Sequence, residues 1–376
     1  MTVWDDVVGQ EAAVATLRAA VGGVAHAMTH AWLITGPPGS GRSNAARAFA
    51  AALQCRQAGC GKCKDCRTAL SGTHPDVTLV RTEQLVIGVD EVRQLVRRAA
   101  MAPTLGRRQV LIVEDADRVT ERGADALLKA IEEPALRTVW LLCAPTADDV
   151  VVTIRSRCRL LALVTPPDEA VARLLVRRDG VDPEQARFVA RIAQGHIGRA
   201  RGLARDPAAM ERRRSVLTLP GRLTGLAEAL AAADGLVKAA QAQAEAATAE
   251  LDARERAALD QTLTTTGRGP KARHAAAAVK DLTEQQGLRS KRLWRDQLDA
   301  ALTELTGYYR DVLVCQTGAA VALLNQDQAA AITAAAAHGS PEATVQRLDA
   351  VLDCREKLAR NVPPLLAFEA LFVALL

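Results

Sequence analysis

Aromatic residues are scarce in this chain of 376 residues: four Trp, two Tyr and four Phe. With so few large flat side chains and so much alanine, sandwiches built on aromatic and β-branched strands are disfavoured, and helix-on-helix packing is expected instead. The sequence also lacks any run of about 18 uncharged apolar residues, the minimum for a membrane-spanning helix. Its first ten residues carry Asp5 and Asp6 where a secretory signal would need a basic start and an apolar stretch. The expectation is a cytoplasmic protein without membrane contact. A strong charge of either sign is missing too, since 48 Lys and Arg against 43 Asp and Glu leave only +5. That balance does not by its sign imply nucleic acid.

What is present is ordinary for a folded chain, with 49% hydrophobic and 24% charged residues and a length that suggests two or three domains at roughly 150 residues each. The first half alternates short apolar runs, Ala31 to Thr35, Val77 to Val80, Val110 to Val113 and Val139 to Cys143, with helical patterns such as Asp90 to Ala100 and Arg122 to Glu132. Buried runs alternating with amphipathic helices predict an α/β domain with a mainly parallel sheet covered by helices on both faces. Pro166 and Pro167 end that pattern. Two or three short helices follow, and from about Pro207 nearly everything reads as long helices. The predicted division is an α/β domain over 1–165, a small helical lid over 166–206 and an all-helical domain over 207–376.

Four groups of residues carry chemistry. Gly36-Pro-Pro-Gly39-Ser-Gly41-Arg42-Ser43 follows a predicted strand and precedes a predicted helix, the context of a phosphate-binding loop. Backbone N–H groups there would cradle an anion, and Ser43 stands where a hydroxyl meets Mg²⁺. Arg42 replaces the compact lysine of the motif with a longer, planar cation, which is not a conservative exchange at such a site. The second group is Glu114-Asp115 at the end of the strand Val110 to Val113. Either it helps hold Mg²⁺ and polarise water, or it caps the next turn; the order Glu then Asp shifts both carboxylates by one methylene.

The third group, Cys55, Cys60, Cys63 and Cys66, has the spacing of a site for one tetrahedral Zn²⁺ held by four thiolates. With all four positions filled by protein, such a metal is structural. The fourth is Ser156-Arg157-Cys158 at the edge of the first domain. No nearby carboxylate in sequence claims Arg157, which on its own suits a surface salt bridge or an arginine reaching a neighbour's phosphates. Separately, the excess of basic residues is concentrated between Thr266 and Asp296 (Arg268, Lys271, Arg273, Lys280, Arg289, Lys291, Arg292 and Arg295). Flanked by glycine and proline, this stretch reads as a solvated basic loop over about 266–292. The competing reading is an arm gripping DNA phosphates.

Taken together, Trp4 to Gln10, His30-Ala-Trp-Leu33, the phosphate loop, the four-cysteine insert, Leu127-Leu-Lys-Ala-Ile-Glu-Glu-Pro134 and Ser156-Arg-Cys158 resemble the clamp-loader branch of the AAA+ ATPases. Tyr308 to Leu313 and 361–376 are similar to the collar helices of that branch. The resemblance implies a P-loop α/β domain with helical lid and collar, and membership of a hetero-pentamer with tau/gamma and delta subunits. It also implies partners in a sliding clamp and primer-template DNA, and a place at the replisome. Members that hydrolyse ATP carry lysine at position 42, Asp-Glu at 114 and 115 and threonine where this chain has Ala144-Pro145; Gly198 falls where a second sensor arginine is expected, with Arg199 one residue later. These departures imply that ATP or ADP with Mg²⁺ is doubtful as a cofactor and that the chain's own ATPase is absent or weak. The alternative is an ATP-hydrolysing tau/gamma-type subunit. The intact Arg157 implies an arginine finger offered in trans.

Overall fold

The computed structural model describes residues 2–82, 86–264 and 270–376, and of 262–264, 270–275 and 277 the backbone alone. Two compact units result, Met1–Arg205 and Asp206–Leu376.

In the first unit the elements run α1 (Glu11–Val21), β1 (Ala31–Thr35), α2 (Arg42–Gln54), α3 (Lys64–Ser71), β2 (Val77–Val80), α4 (Val89–Ala99), β3 (Gln109–Val113), α5 (Glu121–Glu132), β4 (Thr138–Ala144), α6 (Val152–Arg155) and β5 (Arg159–Ala162). After them come α7 (Asp168–Leu174), continued by a π-helical turn over Leu175–Asp179, then α8 (Pro183–Ala193) and α9 (Ile197–Arg205). The five strands are all parallel in the order β2-β3-β4-β1-β5. Strands β1, β3 and β4 are buried at every position, which is why each reads as an unbroken apolar run. One face of the sheet packs Trp32, Ile34, Val110, Ile112, Leu141 and Cys143 against α1 and the alanine-rich α2, and the other packs Leu33, Leu111, Trp140 and Leu142 against α4 and α5. This is the α/β arrangement expected from the sequence.

Anchoring of the loop before β3 rests on one carboxylate. Asp76 accepts from the N–H groups of Thr104 (2.5 Å), Leu105 (2.8 Å) and Gly106 (2.5 Å), while Gln54 Oε1 accepts from Arg107 N at 2.9 Å. Burial alone would raise the Asp76 pKa, but the three N–H groups, aided by His74, hold it below the ordinary aspartate value. A depressed carboxyl stabilises the fold above its unfolded pKa of about 3.9, and that stability is lost as pH falls toward the lower folded value. In Asp76→Asn the acid limb of the unfolding profile is therefore expected to flatten, as followed by circular dichroism between pH 6 and 2. An unchanged acid limb would refute it.

The second unit comprises α10 (Pro207–Thr218), α11 (Leu226–Thr264), α12 (Pro270–Thr317), α13 (Ala329–Ala337), α14 (Pro341–Ala359) and α15 (Pro364–Ala374). Its core gathers Leu298, Leu302, Tyr308, Tyr309, Phe368 and Phe372, so four of the chain's ten aromatic residues sit in one cluster. At the turn after α12 a buried polar network replaces apolar packing. Arg213 donates to Asp327 (2.8 and 3.0 Å) and to Asn325 Oδ1 (2.6 Å), with Glu304 3.5 Å away. Asp311, fully buried, accepts from the N–H groups of Leu324 and Asn325. Removing one partner of a buried charge set typically costs about 3–5 kcal/mol. Arg213→Ala is expected to lower stability by that order, measurable by urea unfolding, and a loss below about 1 kcal/mol would show that the network is not holding the turn.

From Pro270 on, the basic stretch is helical rather than the loop expected over about 266–292. Residues 270–317 are one continuous helix; Arg268 and residues 265–269 lie outside the described residues, with most of the Gly267–Pro270 break. Pro270 takes the first helical position, where its missing N–H is harmless, and Ala275 to Ala278 are strong helix formers. Arg289 pairs with Asp252 (3.0 Å) and Glu255 (2.8 Å) of α11, Lys280 with Glu284 (3.8 Å), and Trp294 Nε1 donates to Val237 O at 3.3 Å. Part of the charge and the one aromatic that an arm would offer to nucleic acid are thus spent inside the helical hairpin. No helix among the described residues is long and apolar enough to cross a membrane.

Candidate functional site

The phosphate-type loop sits between β1 and α2, as its spacing predicts. Gly36, Gly39 and Gly41 all have positive φ (155°, 80° and 96°). A Cβ on Gly36 would come within 2.8 Å of Ser40 Oγ, and one on Gly39 within 2.2 Å of His196 Cγ, so glycine is required by space as well as by backbone. Helix α2 starts at Arg42, which puts its N-terminal N–H groups behind the loop.

Two side chains depart from what a triphosphate site needs. Arg42 Nη1 donates to Gly36 O at 2.7 Å, so the cation that would reach the β and γ phosphates is folded onto its own loop. Glu114 is ion-paired: its Oε1 lies 2.9 Å from Arg47 Nη2, and Oε2 3.9 Å from Arg81 Nε. Asp115 precedes a short 3-10 turn over Ala116–Arg118, and Asp117 within it is pushed upward by burial and by Asp115, opposed by Arg118 and Arg42. Ser43 lies in the first turn of α2.

The lid closes on this loop. Ile197 N donates to Gly39 O at 3.2 Å, and His196 Nδ1 accepts from Arg199 N at 3.1 Å, fixing the start of α9 over Gly39. Gln10 binds three pieces together: its Nε2 donates to Val164 O (2.6 Å) and Ser40 O (3.3 Å), and its Oε1 accepts from Val164 N (3.0 Å). Between the opening segment and α7 remains a cleft of about 190 Å³ lined by Val7, Val8, Gly9, Ala170 and Leu174, with Arg173 and Arg177 at its polar side. Ligand pockets usually measure about 300–1,000 Å³. Arg47, Gln10's clasp and His196 were not legible as site residues, because each acts through a partner on a distant element.

The four cysteines converge. Their sulfurs all lie within 4.8 Å of one another, with Cys63 Sγ to Cys55 Sγ at 3.8 Å. Four thiolates at about 2.3 Å from a tetrahedral ion have sulfurs about 3.8 Å apart, so the set fits such an ion. Backbone N–H groups point at the sulfurs: Gln57 N (3.3 Å) and Cys60 N (3.4 Å) at Cys55, Cys63 N at Cys60, and Cys66 N at Cys63. Burial would raise Cys55, yet the N–H groups of Cys60, Gly59 and Gln57 bring it down to about 6; burial pushes Cys66 up. Cys55 and Cys66 belong to the core beneath α2, and Val3 N donates to Gly59 O at 3.1 Å, so the knuckle also pins the amino-terminal segment. The cluster can hold a metal ion. Cys143 and Cys158 are driven to about 12 by burial and behave as core residues.

Arg157 lies at the far edge of the sheet, just after α6. The sequence offers no obvious local carboxylate for it, but the structure supplies one: Glu132 at the end of α5 sits with Oε1 2.6 Å from Arg157 Nη2. Arg157 Nη1 donates to Thr153 O (2.8 Å) and Ser156 Oγ (3.2 Å). Twenty-five positions separate the pair, so no local spacing rule flags it.

The first unit is thus an α/β phosphate-loop domain carrying a small helical segment, an edge arginine and a four-cysteine knuckle. Residues 9–167 match the family described as DNA polymerase III, delta subunit, and residues 290–375 match DNA polymerase III, delta subunit, C terminal. Over those two stretches the chain is similar to the DNA polymerase III delta-subunit family. It is 37% identical over 163 residues to DNA polymerase III subunit delta' of Pseudomonas aeruginosa, covering 42% of this chain and 50% of that one. Identity to the delta' subunit of Escherichia coli is 33% over 180 residues, 46% and 54% of the two chains. To the gamma/tau subunit of Mycobacterium tuberculosis it is 33% over 198 residues, 50% and 34%. The chain thus spans about half the length of the delta' relatives and a third of the gamma/tau one. A gamma subunit-related protein of Thermotoga maritima superposes over 96% of this chain and 97% of its own with a TM-score of 0.40 at 15% identity.

Proposed function

We propose that the chain acts as a delta-prime-type subunit of a DNA polymerase III clamp loader. In this reading it assembles with tau/gamma and delta subunits into a hetero-pentamer at the replisome and helps load a sliding clamp onto primer-template DNA. One observation carries the reading: Arg157 is intact and 40% exposed at the domain edge, while the chain's own loop has Arg42 turned onto Gly36 O and Glu114 held by Arg47. A guanidinium that reaches the γ-phosphate of ATP in an adjacent subunit stabilises charge developing on the transferred group. The chain's own loop, Gly36 to Ser43 with Glu114 and Asp115, serves as scaffold and hydrolyses nothing at a useful rate even when ATP or ADP with Mg²⁺ enters it. Cys55, Cys60, Cys63 and Cys66 hold one structural Zn²⁺.

The test is ATP turnover of the complex reconstituted with tau/gamma and delta subunits. Arg42→Ala is expected to change turnover less than twofold, because the cation it removes serves its own loop. Arg157→Ala is expected to remove the share of it that belongs to the site this chain faces. The opposite pattern, a loss with Arg42→Ala and none with Arg157→Ala, would identify a self-sufficient ATPase of the tau/gamma kind.

A further inference from the structure

We infer that Glu132 is a positioning residue for Arg157: its carboxylate holds the guanidinium parked on its own domain until a foreign triphosphate competes for it. The inference rests on the reading of Arg157 as an arginine offered in trans. Glu132 is the last residue of α5, and its Oε1 meets Arg157 Nη2 at 2.6 Å. The other terminal guanidinium nitrogen, Nη1, donates to Thr153 O and Ser156 Oγ, and Ser156 Oγ in turn donates to Thr153 O at 3.1 Å. The cation is therefore held against the ends of α5 and α6 while one side of it stays open to solvent.

Two features make this a release mechanism and not a fixed brace. Glu132 and Arg157 are 39% and 40% exposed, so a second anion can approach the pair from the solvent side without unfolding anything. An exposed pair of this kind is typically worth only about 0.2–1 kcal/mol, whereas a triphosphate with its higher charge presents several oxygens to the same fork. The neighbour's nucleotide thus wins the competition, and Glu132 sets how much of its binding is consumed in doing so. The carboxylate also neutralises the guanidinium in the free subunit, so premature capture of other anions is disfavoured.

The consequence is a split between kinetic constants. Using the complex reconstituted with tau/gamma and delta subunits and ATP as the probe, Glu132→Gln is expected to lower KM about 1.4- to 5-fold, the range that about 0.2–1 kcal/mol corresponds to, with kcat unchanged within a factor of two. Glu132→Asp, which keeps the charge, is expected to return KM toward the parent value. In the Arg157→Ala background Glu132→Gln should have no further effect. A raised KM, a lowered kcat or no change in Glu132→Gln, with Arg157→Ala still inactivating, overturns the parking role while leaving the trans arginine standing. An undiminished turnover in Arg157→Ala overturns the reading beneath it, and a Glu132→Gln effect that persists in that background overturns the coupling between the two side chains.

Discussion

Cys66→Ser is expected to purify with far less than one zinc per chain where the parent carries one, and to unfold at a distinctly lower temperature. The four sulfurs already converge within 4.8 Å of one another, and the backbone N–H groups aimed at Cys55, Cys60 and Cys63 stabilise thiolate charge. Apparent binding free energies for structural zinc in small peptides are about 10–16 kcal/mol at neutral pH. Here the insert is fastened to a core that also has the sheet to hold it, so only part of that energy reaches global stability. A control separates metal loss from burial of a hydroxyl: Cys143→Ser buries the same hydroxyl in an equally inaccessible place but touches no metal. Burial of an unpartnered hydroxyl costs about 1–3 kcal/mol on mutational evidence. If Cys66→Ser loses zinc and falls further than Cys143→Ser, and a chelator lowers the parent's unfolding temperature without affecting Cys66→Ser, the metal is structural. Equal losses in the two variants with no zinc in the parent would eliminate it.

Which parts of this molecule could be read from sequence follows from how each is held. Strands β1, β3 and β4 lie between two helical layers, so both faces demand apolar residues and the runs are continuous. Strand β5 is an edge strand with Leu161 as its one buried residue, and its Arg159-Leu-Leu-Ala162 carries no such demand. An unbroken apolar run therefore does not mark it in the sequence. Arg159 faces Trp32 at 5.0 Å and donates to Ala27 O at 2.6 Å, a use that a search for alternating apolar residues does not anticipate. In the second unit the opposite error arises. Charge density and the Gly-Arg-Gly-Pro punctuation suggest a loop, but among the described side chains Arg289 is compensated across helices, by Asp252 and Glu255 more than thirty positions away. The loop glycines and the cysteines were legible because their chemistry is local. The contacts around them, Arg42 to Gly36 O, Glu114 to Arg47, Gly39 beneath His196 and Arg157 to Glu132, depend on rotamers and on distant partners.

Arg157→Ala is expected to have the larger effect on function, a fall of about 10³- to 10⁵-fold in ATP turnover at the neighbouring site if that site depends on one arginine as other phosphoryl-transfer systems do. Since each factor of ten corresponds to about 1.36 kcal/mol, the guanidinium is being asked to supply roughly 4–7 kcal/mol of transition-state stabilisation. The chain can spare that residue without losing its own fold. Arg157 is 40% exposed, and its pair with Glu132 is of the weak exposed kind, so the variant should keep the parent's unfolding temperature and assemble normally. Arg157→Lys distinguishes charge from geometry. Lysine restores a cation but not a planar fork that contacts two oxygens, and partial recovery, well short of the parent, is expected. Full recovery by lysine would reduce the role to long-range charge. Where several ATP sites fire in one complex, the loss in total turnover is bounded by the share of the site that this chain faces, so single-turnover measurement with the other sites disabled is the appropriate readout. A rate in that measurement within tenfold of the parent, in a complex shown to be intact, would mean that the edge arginine is a surface ion pair and nothing more.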